Sequence, residues 1–286
     1  METILSLLIN WLVTSSMYLL VALGFALLLS IMGIFNFAHG AIYMLGAFLT
    51  WALAVQMGIN LWAATVLSVV LMGALGLAIE RFCFRPFAGN QNSVMVMSIA
   101  MIMIFETTVS VTMGGFTRSL PSFISGMLKT DYFSISYQRL ITVLVGAILL
   151  TSMFLFIRKS KTGKQMLAVS QNREGAALQG IDINRISGIA IAMACAMAAL
   201  AGALMASLLS MSPYMGDSML TKAIEVVILS GIGSIGGTLI GGLVIGAIDG
   251  VLPVFTSGAI ADGIGLAIIM IILLIRPKGL FGYEIF

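Results

Sequence analysis

Residues 222–250 read KAIEVVILSGIGSIGGTLIGGLVIGAIDG. A bilayer span needs about 20 apolar residues, so this run is long enough to cross a membrane once. Whether it does so decides how the whole chain is threaded. Upstream, the apolar stretch 186–210 begins just after Arg185; downstream, the stretch 258–275 ends just before Arg276 and Lys278. Lysine and arginine collect in cytoplasmic loops, which puts Arg185 and Arg276 on the same, inner side. The stretch 186–210 carries the chain out and 258–275 brings it back. The run between them therefore cannot be one full crossing. It dips in and returns to the outer side, or crosses twice as short pieces. Gly233, Ser234, Gly236 and Gly237 mark where it breaks or turns.

Composition supports that frame. The chain has 286 residues, 60% of them hydrophobic and 9% charged, against about 25% charged in an ordinary soluble domain. A mean hydropathy of +1.13 leaves too little polar surface to cover a soluble globule. The runs are apolar on every face, whereas barrel strands alternate, and a helix satisfies its own backbone in lipid. The fold class expected is an all-α polytopic membrane protein with about eight hydrophobic segments, including broken or re-entrant helices. Clear spans fall at 9–31, 60–80, 92–113, 138–157, 186–210 and 258–275; 36–57 and 222–250 are the interrupted ones. Ten of the fourteen lysines and arginines follow spans at 81–85, 158–185 and 276–278, which assigns these regions and the C-terminus to the cytoplasm. The 114–137 loop, with only Arg118, Lys129 and Asp131 as charges, belongs outside. If the N-terminus is cytoplasmic, 36–57 must also be broken; if external, it is a simple span. The shared character of the two segments favours the broken reading. A net charge of +3 and no basic helix interleaved with aromatics argue against a nucleic-acid partner. Cys83 and Cys195 are too far apart for a metal motif, and METILSLLINWLVTSS lacks the basic region and cleavage site of a signal peptide.

The segment 36–57 opens on Asn36-Phe37-Ala38-His39-Gly40, which includes the single histidine of the chain. MGIFNFAHGAIYMLGA (32–47) and SGIGSIGGTLIGGLVIGA (230–247) each place Gly-Ile before a small polar residue, Asn36 or Ser234. Non-helical backbone at membrane depth survives only when buried in protein or lining a wet cavity. Interrupted segments in both halves point to a transport pathway. Asn36, His39, Gly40, Ser234, Gly236 and Gly237 are the candidate residues of a helix break or translocation path. Asn36 and His39 would bond backbone groups freed at the break, and Gly40 would permit the turn; direct contact of His39 with substrate is the rival role. Gly233, Gly237 and Gly241, and Gly242, Gly246 and Gly250, recur at intervals of four and suit close helix packing alone equally well.

No Walker A sequence is present, since Gly163-Lys164 is followed by Gln165. There is no H-E-x-x-H and no Cys/His cluster, so no metal, cofactor or catalytic residue is assigned to this chain. Ionisable groups within spans are costly and usually functional. Glu106, the most isolated, lies deep in VMVMSIAMIMIFETTVSVTM (94–113); Glu225 can pair with Lys222 on one helix face; Asp249 and Asp262 flank Pro253 near a membrane surface. RKSKTGKQMLAVSQNREGAALQGIDINR (158–185) can form one or two short amphipathic helices from Lys164 to Leu178, stopping at Gly180. Such a helix suits docking into a groove on another protein.

ALGFALLLSIMGIFNFAHGAIYMLGAF (22–48), GKQMLAVSQNREGAALQGIDINRI (163–186), KAIEVVILSGIGSIGGTLIGGLVIGAI (222–248) and RPKGLFG (276–282) together resemble the LivH-type permeases of branched-chain amino acid ABC importers. The resemblance covers nearly the whole chain and is less specific for substrate, because related permeases handle urea, short amides and other amino acids. It implies a single transmembrane permease domain over 1–286 with a cytoplasmic coupling loop at 158–185. It implies a multi-pass bacterial inner-membrane subunit translocating leucine, isoleucine or valine. The implied partners are a second homologous permease, two ATP-binding cassette subunits carrying the ATP and magnesium, and a periplasmic substrate-binding protein, all within membrane lipid. Glu174, Ala176, Ala177 and Gly180 would form the ATPase-coupling loop, although Gly175 departs from the strict Glu-Ala-Ala form. An ion-coupled transporter centred on Glu106 and a channel-like protein are the competing readings; neither needs a docking loop.

Overall fold

The computed structural model describes residues 2–130 and 133–281. Asp131 of the outer loop and Gly282 of the C-terminal segment lie outside the described residues. The chain is a helical bundle: α1 (Glu2–Met32), α2 (His39–Trp51), α3 (Leu61–Ala78), α4 (Gln91–Met113), α5 (Tyr137–Lys159), α6 (Lys161–Gln171), α7 (Arg173–Leu178), α8 (Ile183–Ala206), α9 (Met215–Ser230), α10 (Ile235–Val251) and α11 (Gly258–Ile275). The helix α2 continues as a wider π-helical turn over Ala52–Gln56, and α3 does the same over Ile79–Phe84. Eight of these helical stretches are long and apolar enough to cross a membrane. A short antiparallel hairpin, β1 (Met127–Thr130) and β2 (Phe133–Ser136), with Met127 opposite Ser136, lies in the 114–137 loop and carries no alternation signal strong enough to read in advance.

Polar residues stop and start the helices where the apolar runs end. The side chains of Asn60, Asn90, Ser136, Ser160, Asn172, Asp182 and Ser234 each accept a hydrogen bond from a backbone N–H in the first turn that follows, satisfying donors a helix start leaves free. The centre of the bundle is α1, α2 and α8, with Phe25, Tyr43, Phe48, Ile191 and Leu204 fully buried. Exposed Val70, Ile99, Leu144 and Leu274 face outward from α3, α4, α5 and α11, as lipid-facing surfaces do.

The segment 222–250 is broken as parity required. The helix α9 ends at Gly231 (φ 97°), Gly233 (φ 88°) turns the chain, and Ser234 caps α10 by accepting from Gly237 N at 3.0 Å. Gly236 and Gly237 lie in the first turn of α10. The glycine ladder packs helices. A Cβ on Gly246 would sit 2.6 Å from the Ser15 Cα, and one on Gly250 2.9 Å from the Trp11 Cα, so α10 lies against α1 backbone to backbone.

The first break corrects the sequence reading. It falls at 33–38, ahead of α2, and His39 begins an uninterrupted helix. Gly33 (φ 67°) makes the turn; Gly40 is helical. Arg139 Nη1 donates to Asn10 Oδ1 at 2.8 Å, which puts the start of α1 beside the start of α5. That end is opposite the one carrying Arg158, Lys159 and Arg173. The helix α1 therefore runs the full length of the bundle, and 36–57 has no need to dip and return.

Candidate functional site

The connection 33–38 folds back along α1. Met32 ends that helix, yet the His39 Nε2 lies 3.1 Å from the Val21 carbonyl oxygen, and a Cβ on Gly24 would stand 3.1 Å from His39 Cε1. At 1.5 Å per residue, the chain has returned about 12 Å toward the middle of the bundle. The same Gly24 approaches the Ala194 carbonyl in the middle of α8. Polar groups satisfy the freed backbone: Ala38 N donates to Asn36 Oδ1 (3.1 Å), Phe37 N donates to Ser98 Oγ on α4 (3.2 Å), and His39 N donates to Asn36 O (3.2 Å). Asn36 thus accepts two of the backbone N–H groups of the connection, one on its side chain and one on its carbonyl. Asn36 Nδ2 and His39 Nδ1 are buried without a partner.

His39 is 0% exposed, packed on Phe25, so in this conformation it touches no solute. His39→Ala is expected to weaken the fold by about 2–4 kcal/mol through a cavity and a lost hydrogen bond, lowering the recovery of folded chain after heating. His39→Gln, which keeps an amide in reach of Val21, should recover part of it. Equal recovery for Ala and Gln would contradict the polar role.

Two contacts tie the connection to neighbouring elements. Gln91 Nε2, at the start of α4, donates to the Gly33 carbonyl at 2.8 Å. Arg173, the first residue of α7, reaches the Met32 carbonyl at 3.5 Å. Neither residue was singled out by the sequence, because each partner is a backbone oxygen far away in the chain.

The start of α9 rests on the start of α2. A Cβ on Gly40 would lie 2.3 Å from the Gly216 oxygen, and one on Gly216 would lie 2.5 Å from the Gly40 oxygen. Gly40→Ala is expected to force these helices apart at about 1–3 kcal/mol, read as a lower midpoint of thermal unfolding in detergent. An unchanged midpoint would show that α9 shifts freely. Above this junction Asp217, Ser218 and Thr221 are exposed on α9, with Thr107, Thr108 and Thr112 exposed on α4. Glu106 is not isolated: Asp217 of α9 is a charged neighbour, and the Glu106 Oε1 is buried without a hydrogen-bond partner among the described residues. The exposed polar groups of α9 beside Glu106 form a short strip, while the α4 threonines share their face with exposed Met103, Ile104 and Val111. The second predicted break does not join it. Ser234, Gly236 and Gly237 lie near the C-terminal segment, where Leu280 N and Phe281 N donate to the carbonyls of Leu229 and Ser230 at 3.0 and 2.9 Å.

The loop 158–185 forms two helices set at an angle. Gly163 allows α6 to fold against α5, since a Cβ there would meet the Phe156 oxygen at 2.3 Å. Met166, Val169 and Ala176 are buried and pin α6 and α7 to the bundle, while Glu174, Ala177 and Gly180 face outward. Gly180 (φ 78°) ends α7 with Ile181 N donating to Ala176 O at 3.1 Å, a left-handed cap. Leu178 is 88% exposed at the tip; the sequence marked it only as the end of the amphipathic stretch.

The bundle joins eight stretches long and apolar enough to cross a membrane to a folded-back helix start and an outward-facing helical loop, the form of a polytopic membrane protein. Comparison narrows the class. The family model of the permease component of branched-chain amino acid transport systems matches residues 7–274. The chain is 31% identical to the high-affinity branched-chain amino acid transport system permease protein LivH of Escherichia coli (strain K12), over 96% of this chain and 94% of that one. It is 28% identical to the corresponding permease BraD of Pseudomonas aeruginosa over 96% and 94%. A probable LivH permease of Methanocaldococcus jannaschii is 25% identical over 94% and 90%. The chain belongs to the LivH-type permease family.

Proposed function

We propose that this chain is the membrane-spanning subunit of an ATP-driven importer that moves leucine, isoleucine and valine inward. Its partners are a second, homologous permease, two ATPase subunits that hold the ATP and magnesium, and a periplasmic binding protein that delivers the amino acid. The ends bearing Arg85, Arg158, Arg173 and Arg276 face the cytoplasm, C-terminus included. The chain itself catalyses no reaction.

The observation that carries this reading is the α6–α7 pair, anchored by Met166, Val169 and Ala176 yet presenting Glu174, Ala177 and Leu178 outward, with Arg173 touching the end of α1. Motion of an ATPase gripping α7 passes through Arg173 and Gln91 to the 33–38 connection, and from His39 and Gly40 to the start of α9. The strip around Glu106, Asp217, Ser218 and Thr221 faces the path and the second permease, because exposed polar groups at membrane depth need water or protein beside them. Alternating access then follows from differential stabilisation of two arrangements of α2 and α9.

The test is uptake of labelled leucine by proteoliposomes holding the chain with its partners, with ATP on the ATPase side. Uptake that requires partners and ATP supports the reading. Uptake by the chain alone under an ion gradient, lost in Glu106→Gln, would replace it with an ion-coupled mechanism. Stimulation of the ATPases only by a binding protein loaded with urea or another solute would keep the mechanism and change the cargo.

A further inference from the structure

A cavity of about 420 Å³ opens at the basic end, between the end of α1, the starts of α4 and α8, and α7. Its size falls in the range of small-ligand pockets, roughly 300–1,000 Å³. Ser187 lines it, is 3% exposed, and its hydroxyl has no hydrogen-bond partner among the described residues. Glu80, also buried, is held on the wall by Arg85 through two hydrogen bonds of 3.0 and 2.6 Å. Arg173 stands at the rim without a carboxylate partner among the described ion pairs. Beside it lies the N-terminal turn of α4, whose leading N–H groups favour an anion. Ile34, Phe84 and Val94 supply buried apolar wall.

We propose that this cavity is a cytoplasmic site for a free amino acid with an apolar side chain, through which accumulated product slows import. The proposal rests on the transport reading above. The carboxylate sits against Arg173 and the α4 turn, the ammonium against Glu80 and Ser187, and the side chain among Ile34, Phe84 and Val94. Both signs of charge line the cavity, Glu80 held by Arg85 and Arg173 at the rim, beside apolar Ile34, Phe84 and Val94, a mixture that suits a zwitterion better than phosphate or a lipid headgroup. The walls belong to elements that must shift relative to one another during the cycle: α7 of the docking loop, the end of α1 and α4. A ligand spanning them stabilises one arrangement and withholds the other.

The test uses proteoliposomes holding the complete importer, ATP inside, binding protein and labelled leucine outside, and unlabelled leucine added inside with the ATP. The initial rate is expressed as a fraction of each variant's own rate without internal leucine. Internal leucine is expected to lower the rate. Ser187→Ala should raise the half-inhibiting concentration about threefold to tenfold, and Arg173→Gln tenfold or more. Internal 4-methylpentanoate, lacking the ammonium, and isopentylamine, lacking the carboxylate, should inhibit far less. Uptake that ignores internal leucine, inhibition curves unmoved by both substitutions, or equal inhibition by 4-methylpentanoate or inorganic phosphate would overturn the site. No uptake even without internal leucine would sink the transport reading, and this proposal with it.

Discussion

Replacing Lys222 by methionine is expected to be the most destabilising single change in the bundle, at about 3–5 kcal/mol, the range for removing one partner of a buried ion pair. Lys222 Nζ contacts Glu225 at 3.3 Å, Asp249 at 2.9 Å and Asp262 at 2.9 Å, joining α9, α10 and α11. The side chains of Glu225 and Asp249 are each 8% exposed, whereas Asp262 is 60% exposed. Tyr18 of α1 donates to the same Asp249 at 2.8 Å, so the cluster links four helices. Methionine keeps most of the stem and its packing but leaves two buried carboxyls without a cation. They cannot both stay charged in a low-dielectric interior, and taking up protons limits the damage rather than removing it. Recovery of monodisperse protein after heating should fall sharply in Lys222→Met. It should hold in Lys222→Arg, and return in part when Asp249→Asn is added to Lys222→Met. A Lys222→Met chain as heat-resistant as the parent, or a double variant no better than the single, would show that the cluster contributes nothing net.

That cluster also marks the limit of the sequence. Lys222 and Glu225 are one helical turn apart and could be paired on paper. Asp249 and Asp262 read as surface groups flanking Pro253, because their partner lies on another helix and only packing brings it near. Glu106 looked isolated for the same reason: Asp217 is distant in the chain. The break at 231–234 was legible because glycine and a capping serine announce it locally, and parity required it. The break at 33–38 was displaced because its signals are weak. Gly33 is hidden in an apolar run, and Ala38 precedes α2 with no side-chain cap, so the strongest local signals are the polar His39 and Gly40. Gly40 turned out to serve close packing on Gly216, a role that depends on a helix the local sequence does not reveal. The 158–185 loop was legible in both helices and in Gly180, since amphipathic spacing and a C-cap are local features. Which of its apolar residues point inward was not, because that depends on packing against α5 and α8.

Leu178→Asp should uncouple the permease from its ATPases while leaving the bundle intact. Ala176 is the buried anchor of α7, and Leu178 at 88% exposed contributes no packing to the folded chain. A large apolar side chain held rigidly at the tip of a capped helix has the form of an interface anchor. Its burial in a groove is worth about 1.5–3 kcal/mol, and an aspartate there adds the penalty of a desolvated charge. Affinity for the ATPase should therefore fall by at least tenfold, with leucine uptake falling alongside it. The stability of the permease alone, read from its thermal unfolding, should stay within about 0.5 kcal/mol of the parent, as for other surface changes. Ala176→Asp supplies the contrast: it should lower permease stability itself, because a charge would replace a buried methyl. If Leu178→Asp binds the ATPase normally and supports full uptake, α7 is not the docking element, and the link from Arg173 to Met32 loses its place in the mechanism. If both variants lose stability equally, Leu178 is packed within the chain rather than offered to a partner.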